Sequence, residues 1–198
     1  MKNTFGKAAC LIALVLVQAG CAISRASFDA ALPSRSANES FSPIAHQAEG
    51  YALLYDLVSK EQNVSKLLII KRDSPPLKAV IQKVARESKQ IAKELEQLAR
   101  QNPPLNLKST GLPVIEQKAR ELIEKEEGKG LLRATGQPFE FKLLLSQIEG
   151  LNYGSHLAAA LVETETNAAR RAFLQRTQTT LASLRDEIYQ MILERYAR

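Results

Sequence analysis

Two apolar seams constrain this chain more than any other feature. Leu77, Ile81, Val84, Ser88, Ile91, Leu95 and Leu98 follow one another in steps of four and three, and so do Phe173, Thr177, Leu181, Leu184, Ile188 and Met191. Such steps return to one side of a helix with 3.6 residues per turn, so each seam is a stripe to be buried against neighbouring helices. The period-two alternation of a half-buried strand is almost missing, and the expected class is all-α.

Punctuation divides the chain into four long helices and one short one. Ser42-Pro43 reads as a cap followed by proline at the first helical position. Helix A is expected from about 43 to 72, with Ile44, Ala48, Tyr51, Tyr55 and Val58 near one face. Asp73-Ser74-Pro75-Pro76 ends it and opens helix B, about 75–101, which Asn102-Pro103-Pro104 stops. A shorter helix is expected from Pro113 to about 128, helix C from about 138 to 164, and helix D from Asn167.

Loop lengths set the topology. Short links make A–B and C–D antiparallel hairpins, whereas the B–C connection runs from about 102 to 137. A helix of about 26 residues is roughly 39 Å long, and thirty-odd residues containing a short helix can cross that length. Helix C would then run parallel to B, the ferritin-like arrangement of two hairpins joined by one long crossover. An internal echo agrees with it: Gln47-Ala-Glu-Gly50 recurs as Gln147-Ile-Glu-Gly150, each copy early in its hairpin. Glycine inside a helix costs about 1 kcal/mol relative to alanine, so two at matching positions suggest a close approach of helices A and C across a pseudo-two-fold axis.

The N-terminus reads as an export signal over residues 1–20. Lys2 and Lys7 precede an apolar stretch, Ala8 to Val17, about half the length of a membrane span. Gln18-Ala19-Gly20-Cys21 then resembles a bacterial lipoprotein cleavage site, with Cys21 diacylated as the new N-terminus. Gln18 stands where Leu, Val or Ala is usual, and cleavage after Ala22 as an ordinary secretory signal, or a retained anchor, are the alternatives. Acyl chains contribute about 0.8 kcal/mol per buried CH₂, enough for several to hold the protein on a membrane. Ala22 and Ile23 carry no acid after the anchor, which resembles outer-membrane sorting. Residues 21–42 are Ser/Ala-rich and without sustained periodicity. They read as a tether with an r.m.s. span of roughly 25 Å, or as a strap laid on the bundle through Phe28 or Phe41.

Cysteine and charge close off other classes. Cys10 leaves with the signal, so the mature domain, residues 43–198, has no disulfide and rests on packing. The formal charge is +6, and about +4 without Lys2 and Lys7. The bases stand among acids, as in Lys83, Arg86, Glu87, Lys89, Lys93 and Glu94; this suits solvated helix faces and not nucleic acid.

Over roughly 43–196 the chain resembles a widespread bacterial family of exported ferritin-like proteins of undefined function, often labelled outer membrane proteins. The resemblance rests on Leu95-Glu-Gln-Leu98 at the end of the A–B hairpin and Leu112-Pro113 before a charged short helix. It continues in Gly136-Gln-Pro-Phe139-Glu-Phe141, which leads into Leu145-Ser-Gln147-Ile-Glu149. It implies a four-helix bundle, an envelope location and no established enzyme activity. Family members often have an acid-His pair midway along helix B, where this chain has Glu87-Ser88, and a His after the helix C acid, where it has Gly150.

A di-iron site of this fold needs Glu-x-x-His on two helices. Here Pro43 and Tyr153 stand three residues before His46 and His156. The residues nearest to a metal site are Glu49, Glu149, His46 and His156, with His46 and Glu49 one turn apart; the simpler reading is that they flank the core as partly exposed side chains. No phosphate loop, free nucleophilic thiol or Gly-x-Ser-x-Gly is present. Ser155 and His156 diverge by about 100° on a helix, and Tyr51, Tyr55, Tyr153 and Tyr189 read as core-edge residues. No cofactor and no catalysis are expected. The expected function is a non-catalytic interaction or structural module, perched on the membrane through Cys21, with an unidentified envelope protein as partner and a link to stress. The alternatives are a degenerate ferritin-like metal binder or oxidase, and a soluble periplasmic chaperone-like bundle.

Overall fold

A computed structural model describes residues 43–70, 74–101 and 103–196. Cys21, the signal expected over 1–20 and the tether expected over 21–42 lie outside the described residues. Among the described residues every regular element is helical: α1 (Pro43–Glu61), a 3₁₀ turn (Val64–Lys66), α2 (Leu67–Ile70), α3 (Pro75–Ala99), α4 (Val114–Arg133), α5 (Gly136–Thr164) and α6 (Ala168–Tyr196).

The two seams are buried as their spacing requires. Leu77, Ile81, Val84, Ser88, Ile91 and Leu95 are buried along α3, and Phe173, Thr177, Leu181, Leu184 and Ile188 along α6, with Leu98 and Met191 half-buried at the ends. Asn167 caps α6, its Oδ1 accepting from the amides of Ala169 at 3.0 Å and Arg170 at 3.1 Å.

Helix A ends eleven residues before its expected limit of about 72, at Glu61. The Asn63 side chain donates to the carbonyl of Ser59 at 2.9 Å, and the amide of Asn63 bonds Lys60 instead of continuing the α ladder. The resulting turn brings Val64 into the core. The short helix, in contrast, extends past its expected end near 128 to Arg133. Gly128 and Gly130 do not take the positive φ by which glycine stops a helix; α4 ends where the backbone of Ala134 turns extended, at φ −71° and ψ 148°.

α1 packs on α3 and on α5, α6 packs on α5 and on α3, and α4 lies beside α5. Directions follow from the pairs that meet. Lys83 reaches Glu187 at 2.6 Å while Arg176 reaches Glu94 at 3.3 Å, so α3 and α6 are antiparallel. Arg185 meets Asn152 at 2.9 Å and Arg195 meets Glu140 at 2.5 Å, which makes α5 and α6 antiparallel as well. α5 therefore runs parallel to α3.

The α1–α5 contact is where the repeated glycines act. A Cβ on Gly50 would lie 2.7 Å from Leu161 Cδ2 of α5, and one on Gly150 would lie 2.8 Å from Glu61 Oε1 of α1. The two contacts are related by the same sequence offset as the two Gln-x-Glu-Gly copies, as the echo led us to expect. Gly154, one turn on, is tighter still: its Cβ would sit 2.5 Å from Leu57 and 2.9 Å from Leu181. Gly154→Val is expected to lower stability by about 1–3 kcal/mol through overpacking. Gly128→Ala, where nothing lies within 4 Å, is expected to raise it by about 0.5–1 kcal/mol. Urea midpoints at constant m-value measure both.

Candidate functional site

The α1–α5 seam also collects buried polar groups, and there the two copies of the repeat differ. Glu165, just past the end of α5, is 4% exposed. Its carboxylate accepts from Tyr51 Oη at 2.5 Å, Gln47 Nε2 at 3.1 Å and the Asn167 amide at 2.7 Å. Burial first, and then the bond to Glu165, push the Tyr51 phenol far above its ordinary pKa, so it remains a donor. The second copy has Gln147 reaching Glu61, but Leu151 stands in the place of Tyr51 and has no hydrogen bond to give. Glu61 Oε2 and Gln147 Oε1 are buried with no hydrogen-bond partner among the described residues. Burial raises the Glu61 carboxyl to about 7, with the Gln147 bond acting against the shift.

Close by, Arg170 of α6 is 3% exposed and turned to the end of α3, where it donates to the carbonyls of Leu98 at 3.4 Å, Gln101 at 3.2 Å and Pro103. A cation at a helix C-terminus satisfies carbonyls that have no intrahelical partner. It also pins the start of the crossover to α6.

A groove of about 490 Å³ lies between α4 and α5. Ile123, Leu131 and Leu145 form its apolar lining; Glu126, Glu127 and Glu149 add carboxylates, with Lys142 among them. Burial, followed by the charges of Glu149, Glu124 and Glu126, raises the Glu127 pKa. The side of α4 towards the rest of the domain is held by Lys60, which pairs with both Glu124 and Asp56, and by the Arg120 guanidinium 5.7 Å from the Tyr153 ring.

The residues singled out from sequence scatter over this framework. Glu49 is half-buried with its carboxyl over Gly111, whose φ is +65°. Glu149 is exposed on the groove, and His156 is exposed on α5. His46 lies in α1, its side chain outside the described residues. No group of three or more His, Cys, Asp or Glu side chains able to hold a metal forms among the described residues. Of the four tyrosines expected at the core edge, Tyr51 is instead fully buried, drawn in by Glu165; Tyr153 and Tyr189 are exposed. Glu61, Glu165 and Arg170 were not anticipated. The one sequence signal for the first two was the Gln of each repeat, whose partner lies far along the chain.

Among the described residues no helix is long and apolar enough to cross a membrane. Comparison of the chain with protein-family models, with curated proteins and with solved structures finds no match.

Two measurements test the buried pair. Because the folded pKa of Glu61 lies above its ordinary value, its neutral form favours the native state. The native state is most stable with respect to this group below about pH 4.5, and stability falls as pH rises through about 7. Glu61→Gln is expected to leave stability unchanged at pH 4 and to raise it by at most about 3 kcal/mol at pH 8, read as the pH dependence of the urea midpoint. Tyr51→Phe removes the shortest donor to a buried carboxylate and is expected to cost about 1–3 kcal/mol, measured by denaturation at pH 7.

Proposed function

We propose that residues 43–198 form a ferritin-like four-helix bundle that belongs to the exported family it resembles. An acylated Cys21 anchors it to the envelope membrane, on the periplasmic side of the outer membrane, where it acts as a non-catalytic interaction module. The helix order supports the fold: α1–α3 and α5–α6 are adjacent pairs, α1 lies on α5 and α3 on α6, and the connection between the parallel α3 and α5 carries α4.

The observation that carries the interaction reading is the α4–α5 groove. Peptide helices dock by laying an apolar face into such a groove, while surrounding charge selects the partner. Ile123, Leu131 and Leu145 would take the apolar face. Three carboxylates against one lysine favour a partner with basic side chains beside it.

Cross-linking in intact cells followed by mass spectrometry tests this reading. A recurrent, stoichiometric envelope protein is expected, with its yield reduced about tenfold by Leu145→Arg, the loss of one interface anchor. Leu145 is 40% exposed, so the substitution leaves the core intact and circular dichroism should not change. A folded, abundant protein without a recurrent partner would overturn the reading. Stoichiometric iron or manganese, lost on Glu149→Ala, would replace it with the metal-binding alternative.

A further inference from the structure

The face of α4 turned away from the groove carries an unusual distribution of charge. At 100° per residue, Lys118, Lys125, Lys129 and Arg133 fall within one sector about 100° wide. Val114, Ile115, Leu122 and Leu132 fall in the same sector, and all five acids of the helix lie outside it. The four bases are exposed, and the apolar side chains are 79%, 81%, 56% and 53% exposed respectively. At one edge Lys118 meets Glu121 at 3.0 Å, but both side chains are 65% exposed, and such pairs contribute little. The acids Glu124 and Glu127 face the other way, to Lys60 and into the groove. No residue of α4 is buried, so these apolar side chains are not held outward by a packed core beneath them.

We infer that this face of α4 rests on an anionic lipid surface, its four bases among the headgroups and its four apolar side chains at the acyl boundary. Clustered bases beside a membrane are attracted to anionic lipid, and exposed apolar side chains among them add buried area to that attraction. The groove is on the other side of α4, so a surface laid on this face leaves the groove open. A purely polar acidic partner would satisfy the bases and leave Val114 and Ile115 in water. The inference rests on the proposed function only in placing the domain beside a membrane. A tether alone leaves the domain free to rotate, and this face would orient it with the groove directed away from the bilayer.

The test uses the full-length chain with Cys10→Ser and Cys21→Ser and an environment-sensitive fluorophore on a single cysteine, from Leu122→Cys or, as a control on α6, Gln175→Cys. The vesicles are phosphatidylcholine with or without about one-third phosphatidylglycerol. The probe at 122 is expected to shift to the blue only with phosphatidylglycerol, and the probe at 175 with neither. Lys118→Gln, Lys125→Gln and Lys129→Gln together should weaken the response about a hundredfold, and about 0.5 M salt should abolish it. All three positions are exposed, and unchanged circular dichroism verifies folding. A silent probe at 122 on protein that floats with the vesicles, or an equal response to neutral vesicles, overturns the inference. So does a probe that answers polyglutamate and not lipid, which assigns the face to an acidic protein. Mass spectrometry of Cys21 in the native chain reads the anchor separately: an unmodified Cys21 with a responsive probe removes the anchor and keeps the face, and an acylated Cys21 with a silent probe does the reverse.

Discussion

The contact between α1 and α5 joins the α1–α3 pair to the α5–α6 pair. Three glycines permit it, and each faces a side chain where a Cβ would stand: Leu161 for Gly50, Glu61 for Gly150, Leu57 and Leu181 for Gly154. The intrinsic cost of glycine in a helix interior, about 1 kcal/mol each, is accepted at a point where side chains on both helices would otherwise collide. What is gained is dense packing of buried residues such as Tyr51, Leu54, Val58 and Leu151 on the facing helices.

Bringing these helices close also traps polar groups between them, and the chain treats the two ends unequally. At one end Glu165 has three donors, one of them a tyrosine held protonated by the same burial that excludes water. At the other, Glu61 has Gln147 and an oxygen with no hydrogen-bond partner among the described residues. A buried carboxylate with incomplete hydrogen bonding is costly to ionise. The asymmetry lies in donor and acid alike: Leu151 stands where the first copy has Tyr51, and by the same offset Glu61 matches Leu161 while Glu165 matches Ser65. A repeat can thus preserve backbone approach while its polar chemistry diverges, because the glycine is required by sterics and the donor only by the charge it serves.

Period and punctuation made the helices legible. The α3 and α6 seams, the Asn167 cap and the two prolines that open α3 are local signals, and the structure follows them. The α1–α5 approach was legible from two glycines because a helical glycine without a turn to make needs a neighbour. The break at Glu61 was not, since it depends on a side chain of a common loop residue, Asn63, competing for a backbone carbonyl. The end of α4 lay five residues past the expected limit near 128: the helix runs through Gly128 and Gly130, neither of which takes a positive φ, and stops where Ala134 turns extended. Glu61, Glu165 and Arg170 look like ordinary surface charges in sequence. Their burial is created by residues distant along the chain: Gln147 for Glu61, Tyr51 for Glu165, and the carbonyls after α3 for Arg170. Of the proposed site, the groove could not be read at all, because it requires knowing which side of α4 faces α5.

The side-chain distribution of α4 makes sense only when that orientation is known. Taken around the whole helix, apolar and charged residues nearly cancel, and the segment reads as a featureless charged helix. Resolved by direction, Glu124, Glu126 and Glu127 lie inside with Ile123, Leu131 and one base, Arg120, and the other four bases lie outside with Val114, Ile115, Leu122 and Leu132. No residue of α4 is buried, so packing does not account for four large apolar side chains in water, nor for four of the five bases standing apart from the acids. The two proposed partners therefore fall on different faces, a basic segment in the groove and an anionic plane opposite it. Both can be met at once, because occupying one face does not obstruct the other.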